Sequence, residues 1–520
     1  MSHASTTEVP SSSASLSCAS GTCADTAQPS EPASASRRSM LALLTGATAL
    51  AASLKQTRAS DPVTRVRGDV DPSALLEKLV DRITFGTTPE ELALARTLGY
   101  NGYIEYHLDH LSIVDTVADA KIAPLLTLNQ AYSALVPQAA QFVINELIEA
   151  ALYRAIYSKR QLFERVVEMW TDHFNIDIQT ARYYKPADDR AVIRANALGT
   201  FPTLLTASAQ SPAMLYYLNN DVSTASNPNE NYARELMELH TLGVNGGYTQ
   251  TDVQQVARCL TGWTIWSASA GPTLQGTFRY NNNNHNQSAK TVLGTSIPAN
   301  GGQQDGFTVL NLLANHPSTA QYIAFKMCRQ FLGYNVAQSI VNQVASTYTS
   351  TGGDIKAMLR VVLKPEHIAA AQPKLKRPFH HFVSAMRQVG ANVVSTSSIR
   401  SRLGEAGHIP YSWLTPDGYP DKVGHWGGNM IVRWNFGASM MNGVNGSITG
   451  VTVDTPAFFS GATTVDQMIA RIDERLFGSR MNPVDRERIR QYLSQTTPEL
   501  AARQRESLGL AIASPSYQWY

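Results

Sequence analysis

The stretch Asn227-Pro228-Asn229-Glu230-Asn231-Tyr232-Ala233-Arg234-Glu235-Leu236-Met237-Glu238-Leu239-His240-Thr241-Leu242-Gly243 decides how this chain is to be read. Asn227 can cap a helix, Pro228 suits its first position, and Glu230 stands where a capping box places its carboxylate. Gly243, with Gly246-Gly247 just beyond, ends it. The spacing predicts one α-helix over 228–242, its carboxylates gathered along a common edge that faces the interior. At ~100° per residue Glu230, Arg234 and Glu238 form one stripe, with Glu235 about 60° to its side. Tyr232, Leu236, Met237 and Leu239 line the opposite face, and His240 falls among them, pointing away from the acids.

That geometry gives the helix a chemistry to test. Glu235 and Glu238, three residues apart, can jointly bind a hard divalent cation or act as an acid/base pair, with Arg234 setting their proton affinities. The plainer alternative is an exposed ion-pair stripe in which Arg234 lies between Glu230 and Glu238, an arrangement that contributes only a few tenths of a kcal/mol.

Helical periodicity extends outward in both directions. Asp71-Pro72-Ser73 and Thr88-Pro89-Glu90-Glu91 each open a helix, and apolar-periodic stretches run over 138–174 and 188–218. Further helices are predicted at 251–262, 305–314, 317–333, 335–349, 354–363, 374–390, 429–442, 465–476, 483–494 and 498–512. Strand signals are few. The best pairs Trp263-Thr264-Ile265-Trp266 with Gly276-Thr277-Phe278-Arg279-Tyr280 as a short hairpin among helices. Irregular stretches fall at 281–284, 295–304 and 409–428, and no linker divides the chain after residue 71. The expectation is a mainly α fold: one large multi-helix domain over 61–520, in one lobe or two, with an inserted β-hairpin and long irregular loops.

Residues 1–36 are rich in Ser, Ala and Thr and too poor in large apolar residues to form a core. They lead into Ser36-Arg37-Arg38-Ser39-Met40-Leu41 and a mildly apolar run to about Leu54, followed by Lys55 and Arg58. Paired arginines, weak hydrophobicity and trailing basic residues read as a twin-arginine leader over 1–60, and predict a periplasmic or secreted protein. Ala49-Leu50-Ala51 offers a cleavage site. Hydrophobic residues make up 43% and charged residues 16%, enough apolar content for a real core under a surface rich in neutral polar groups. Lys plus Arg (43) nearly balance Asp plus Glu (41) without a basic stripe, which argues against nucleic acid as a partner. Cys18 and Cys23 lie in the leader; Cys259 and Cys328 read as buried thiols, with one disulfide left open.

A second cluster is Glu164-Arg165-Val166-Val167-Glu168-Met169-Trp170-Thr171-Asp172-His173. Glu164, Glu168 and Asp172 share a face, and His173 lies beside apolar residues, where a hydrogen-bonded core role competes with proton transfer. A third is His285-Asn286, followed by Lys290 and Gly294, a loop histidine freer to act than a helical one. His380 and His381 are adjacent and cannot face one way on a helix. Trp413, Pro416, Gly418, Tyr419, Pro420 and Trp426 mark an aromatic, Gly/Pro-rich segment that can floor a pocket or pack over the core. The chain has no Gly-x-Ser-x-Gly elbow, phosphate loop or dinucleotide fingerprint, which disfavours familiar serine hydrolysis and nucleotide use.

The blocks Asn229 to Glu235, Glu238 to Gly243, Gly247-Tyr248-Thr249 and Leu260-Thr261-Gly262-Trp263-Thr264 resemble the hallmark of the bacterial family called domain of unknown function 1800. Arg82-Ile83-Thr84-Phe85-Gly86, Met169-Trp170 with His173-Phe174, Lys376-Arg377-Pro378, Gly418-Tyr419-Pro420 and Ala513-Ser514-Pro515 follow in the order that the resemblance implies, over nearly all of the mature chain. The resemblance implies an exported protein without an established activity. It also implies a partner, an exported protein with sulfatase-like character called domain of unknown function 1501. One departure counts against metal binding by the loop: the family pattern has His-Asp where this chain has His285-Asn286.

Two readings follow. In the first, Glu235, Glu238 and Arg234, with His173 and His285, converge in a pocket and catalyse hydrolysis or group transfer on an extracytoplasmic substrate, with or without a divalent metal. In the second, the same ions fix helix packing in a non-catalytic assembly or binding module whose aromatic loop, 411–436, holds a partner.

Overall fold

Apolar residues recurring every three or four positions give this chain helices with one buried stripe each, and the structure is the arrangement that brings those stripes together. It is a computed structural model that describes residues 71–442 and 448–520, so the expected leader lies outside the described residues. The principal helices are α1 (Pro72–Ile83), α2 (Pro89–Leu108), α3 (Ala140–Tyr157), α4 (Gln161–His173), α5 (Phe201–Ala209), α6 (Glu230–Glu235), α7 (Gln250–Leu260), α8 (Gln304–Ala314), α9 (Pro317–Leu332), α10 (Gln338–Thr351), α11 (Ile355–Val362), α12 (Pro378–Gln388), α13 (Met430–Asn442), α14 (Val465–Phe477), α15 (Pro483–Leu493) and α16 (Leu500–Ala513). The fold is mainly α, as expected. Among the described residues no helix is long and apolar enough to cross a membrane.

Helix starts follow their caps. The Asp71 side chain accepts from the Ser73 amide at 2.9 Å ahead of α1, and Thr249 and Asp252 form a reciprocal capping box at α7. Where prolines interrupt the pattern the helices break. The apolar stretch 188–218 becomes a π-helical turn, Asp189–Arg194, then α5 and a short helix, Pro212–Tyr217, with Pro202 and Pro212 in the first turns of the last two. Lys374 to Arg377, expected as helix, run extended instead. Pro378 disfavours helical backbone before it, and the segment pairs with the chain's last residues: Lys376 N donates to Gln518 O at 2.8 Å and Lys374 N to Tyr520 O at 3.0 Å.

The expected hairpin forms as β1 (Trp263–Ile265) against β2 (Phe278–Tyr280), antiparallel, with Trp263 opposite Tyr280 and Ile265 opposite Phe278. Two more antiparallel pairs escaped the sequence reading: β3 (Lys290–Val292) with β4 (Thr295–Ile297), the second strand inside a stretch read as irregular, and β5 (Asn392–Val393) with β6 (Val451–Thr452).

The main core gathers side chains from α1, α4, α5, α6, α7 and α9, including Leu79, Trp170, Phe201, Tyr232, Leu260 and Met327, each 1% exposed or less. Burial on this scale contributes about 1.5–3 kcal/mol per large apolar side chain. Trp170 keeps its indole N–H satisfied inside this core by donating to Ala197 O at 3.0 Å. Cys259 and Cys328 are both buried free thiols, each pushed up to about 12 by burial.

Toward the end of the chain α13 crosses α16 at backbone distance. A Cβ on Gly437 would stand 2.7 Å from Gly509 O, so the crossing needs glycine. Gly437→Ala is therefore expected to lower stability by about 2 kcal/mol, the usual cost of forcing atoms into a filled contact. The urea unfolding midpoint reads this directly, and an unchanged midpoint would mean that the helices separate freely.

Candidate functional site

α4 carries its functional side chains on a buried face that is not apolar. Leu162, Val166, Met169 and Trp170 supply the core stripe, while Glu164, Glu168 and Asp172, one turn apart, face cations from other elements. Arg194 Nη1 lies 3.0 Å from Glu164. Arg377, just ahead of α12, bridges the other two, with Nη2 2.7 Å from Glu168 and Nη1 2.5 Å from Asp172. Arg165 Nη1 reaches Glu168 at 2.7 Å from the same helix. Removing one partner of such a pair leaves an uncompensated buried charge, which costs about 3–5 kcal/mol.

The expected rod over 228–242 is two kinds of helix. Asn229, not Asn227, is the cap: it accepts from the Asn231 amide at 2.9 Å, because Asn227 is already bridged to Thr224. α6 then widens into a π-helical turn, Leu236–Thr241, in which Leu242 N donates to Met237 O at 2.8 Å, five residues back. The Thr241 hydroxyl donates to Leu236 O at 2.7 Å and occupies a carbonyl at the widened turn. The 100° arithmetic fails from Leu236 onward. Arg234 holds Glu230 at 3.2 Å and Gln250 at 2.9 Å on the outer side, whereas Glu238 accepts from the Tyr248 hydroxyl at 3.3 Å.

His240 turns inward with Tyr232, Leu236 and Met237, the apolar face on which the spacing placed it, to a ring separation of 6.1 Å from His173. His173 Nε2 donates to His240 O at 3.1 Å, which leaves Nδ1 as an acceptor, and Lys326 Nζ on α9 lies 2.9 Å from it. Burial, and then the Lys326 charge, hold both imidazoles neutral: His173 well below its ordinary value and His240 down to about 3. Lys326 is itself lowered to about 8 by burial, with Asp172, Asp417 and Asp421 only partly opposing.

His173 and Lys326 face a cleft of about 300 Å³ whose walls include Asp172, Arg329, Arg377 and the segment Asp417–Lys422. Gly418 makes that wall possible. Its φ is +74°, and a Cβ there would stand 2.1 Å from Asp172 O, so no other residue lets the loop approach α4 this closely. Asn175 ties the loop down by donating to Trp413 O at 2.9 Å and Thr415 O at 2.8 Å. Asp421 accepts from Lys374 at 2.8 Å. The aromatic segment thus does both jobs foreseen for it: Tyr419 lines the cleft while Trp426 packs in the core.

The residues singled out from sequence divide accordingly. The π turn supplies Leu239 to the cleft wall. Glu235 is half-buried, and its carboxyl is raised by burial, then by Glu238 and by Asp417 of the cleft wall, with Arg234 too exposed to prevent it. Tyr322, also on the wall, feels Glu238 and Asp417. Glu235 and Glu238 thus feel each other, and Glu235 feels Asp417 of the cleft wall, but neither carboxylate lines the cleft that His173 faces, and Arg234 lies at their outer edge.

His285 belongs elsewhere. It is not a free loop side chain: it is 3% exposed, with Nδ1 2.8 Å from Thr261 O and Nε2 3.1 Å from Asp305, whose same oxygen meets Lys290 Nζ at 2.5 Å. This bracket pins the hairpin region to α8, and Asn286 accepts from Arg258 at 3.1 Å beside it. Among the described residues no group of three or more His, Cys, Asp or Glu is placed to hold a metal ion.

Lys326 and the bridging role of Arg377 were missed from sequence. Lys326 reads as an ordinary polar residue on an amphipathic helix. The available signal was indirect: blocks that carried the family resemblance, Met169 to His173, Arg377 and Gly418 to Pro420, all meet at this cleft. A family model described as protein of unknown function (DUF1800) matches residues 78–519. No curated protein and no solved structure matches the chain.

The buried imidazoles set a pH dependence. Unfolded histidines take a proton near pH 6.5, whereas His173 and His240 stay neutral in the folded protein, so below 6.5 the unfolded state binds more protons and stability falls as pH falls. His240 alone accounts for about 1.4 kcal/mol per pH unit from 6.5 down toward 3. Thermal denaturation between pH 7.5 and 5.0 is expected to show a steadily falling midpoint, with a shallower slope for His240→Phe. A flat profile would mean that the imidazoles accept protons in place.

Proposed function

The chain belongs to the DUF1800 family of unknown function, and we propose that it is an exported enzyme of the hydrolase or group-transfer class, working in the cleft floored by Lys326 and His173. The observation that carries this reading is the lysine itself: burial lowers it to about 8, beside a neutral imidazole 2.9 Å away. At pH 7 roughly a tenth of such a group is uncharged, which suits a general base. An amine that donates one N–H to His173 Nδ1 keeps its lone pair for the cleft. Glu235, whose carboxyl is raised, stands outside the cleft lining and acts on it only through the charge of Asp417. In the proposed step Lys326 Nζ takes a proton from water as the water oxygen bonds to the electrophilic atom of the substrate. The Lys326 ammonium then gives that proton to the departing oxygen, which restores the amine.

The ion pairs on α4 favour the second reading, an assembly module working with an exported sulfatase-like partner, because such networks also serve packing alone. One experiment separates the two. Lys326 is expected to acetylate through the cleft with a midpoint near pH 8 in competitive labelling, well below the exposed lysines. Lys326→Met is expected to abolish hydrolysis of whichever chromogenic ester, glycoside or phosphate the wild type cleaves, at least a hundredfold, with little change in melting temperature. An ordinary midpoint for Lys326, or turnover indifferent to its loss, rejects the enzyme and leaves the module.

We also propose that residues 1–60 direct twin-arginine export to the periplasm or beyond, a reading supported by Arg37-Arg38 and the weakly apolar run behind them. Replacing both arginines by lysine is expected to hold the precursor in the cytoplasm. Unchanged export of that variant would rule the route out.

A further inference from the structure

A second cleft, of about 470 Å³, lies where α1 meets the end of α14 and the extended segment before α12, and it shares no lining residue with the first. Lys78, Arg82, Lys376 and Arg480 line it against one carboxylate, Asp81. That carboxylate is already engaged, with Arg480 Nη2 2.8 Å from its Oδ2. Lys78 is satisfied by main-chain oxygens, donating to Ala369 O at 3.1 Å and Ala371 O at 2.7 Å.

The other two cations are not matched. Arg82, 1% exposed, gives Nη2 to Gln372 O and leaves Nε and Nη1 without an acceptor among the described residues. Lys376, 3% exposed, holds its Nζ 3.7 Å over the Tyr517 ring, and no carboxylate among the described residues pairs with it. A π face offsets only a small part of the cost of burying an ammonium. Burial, partly opposed by Asp81, holds Lys376 at about 7. Arg82, only partly offset by Tyr520 and Asp81, and Lys376, about half protonated at neutral pH, give the cavity a positive potential that an arriving anion relieves while drawing the proton onto Lys376.

The form of the cavity narrows the anion. Arg82 together with Lys376, fully protonated once an anion sits beside it, suits a dianion, and a phosphate monoester carries about −1.5 to −2 at neutral pH where a carboxylate carries one charge. The cleft is also far larger than an inorganic phosphate, and Leu75, Leu476, Phe477 and Trp519 give it apolar walls. We propose that this cleft binds the phosphate monoester of a small organic molecule, the phosphoryl oxygens between Arg82 and Lys376 and the apolar body against Leu476 and Phe477. The site is independent of the proposed catalytic cleft, so either assignment can fail without the other.

Titration calorimetry on the exported protein with phenyl phosphate tests it, with inorganic phosphate and benzoate as comparators. Phenyl phosphate is expected to bind at one site at least tenfold more tightly than either comparator. Lys376→Met is expected to weaken it at least tenfold and to raise the melting temperature of the unliganded protein, because the unmatched charge is gone. Arg480→Gln, on the exposed rim, leaves the core untouched and is expected to weaken binding several-fold. No heat with phenyl phosphate, or wild-type affinity in both variants, overturns the site. Benzoate binding as tightly removes the dianion, and inorganic phosphate binding as tightly removes the apolar body.

Discussion

The bond from His173 Nε2 to the carbonyl of His240 is the constraint around which the first cleft is built. It fixes the imidazole tautomer, and the tautomer determines that Lys326 meets an acceptor rather than a second donor. The bond depends on the widened turn in turn, since a regular α-helix would carry His240 to another azimuth. Thr241 stabilises that turn with its hydroxyl, so a locally unfavourable backbone is held by one side chain and by the packing of Leu236 and Met237 in the core.

Around that bond the fold buries charge. Glu164, Glu168 and Asp172 would each be intolerable inside a core alone, and each is met by an arginine from a distant part of the chain. The gain in net stability from such pairs is small, because desolvation cancels much of the attraction. What they supply is uniqueness. Arg377 meets two carboxylates one helical turn apart, and a shift of α4 along its axis would leave one of them unmatched.

Much of the architecture was legible because it rests on local rules. Caps, prolines and apolar spacing marked α1, α7 and most later helices, and the hairpin was visible in Trp263-Thr264-Ile265 and Phe278-Arg279-Tyr280. The site was legible only in part. Glu164, Glu168 and Asp172 share a face by spacing alone, but nothing in the spacing says that Arg377 crosses more than two hundred positions to meet them. The π turn was invisible because its cause is tertiary: Asn229 replaces Asn227 as cap only once Asn227 is drawn to Thr224, and the turn widens only when Thr241 and His173 take up its carbonyls. His285 misled for a related reason, since an Asn-rich loop reads as mobile until Asp305 is seen beneath it.

The pairing of Lys374 and Lys376 with Tyr520 and Gln518 has a kinetic meaning. Arg165 donates to the Tyr520 hydroxyl across 355 positions, and Arg480 reaches Asp81 across 399. Loops of that length must close before these contacts reward closure, so assembly of this unit is slow and strongly non-local. A ribosome still translating the last helices holds a chain in which Lys374, Lys376 and Asp81 lack the partners that the closing segments supply. Maturation therefore comes after synthesis, and the half-made polypeptide is the species most in need of a chaperone.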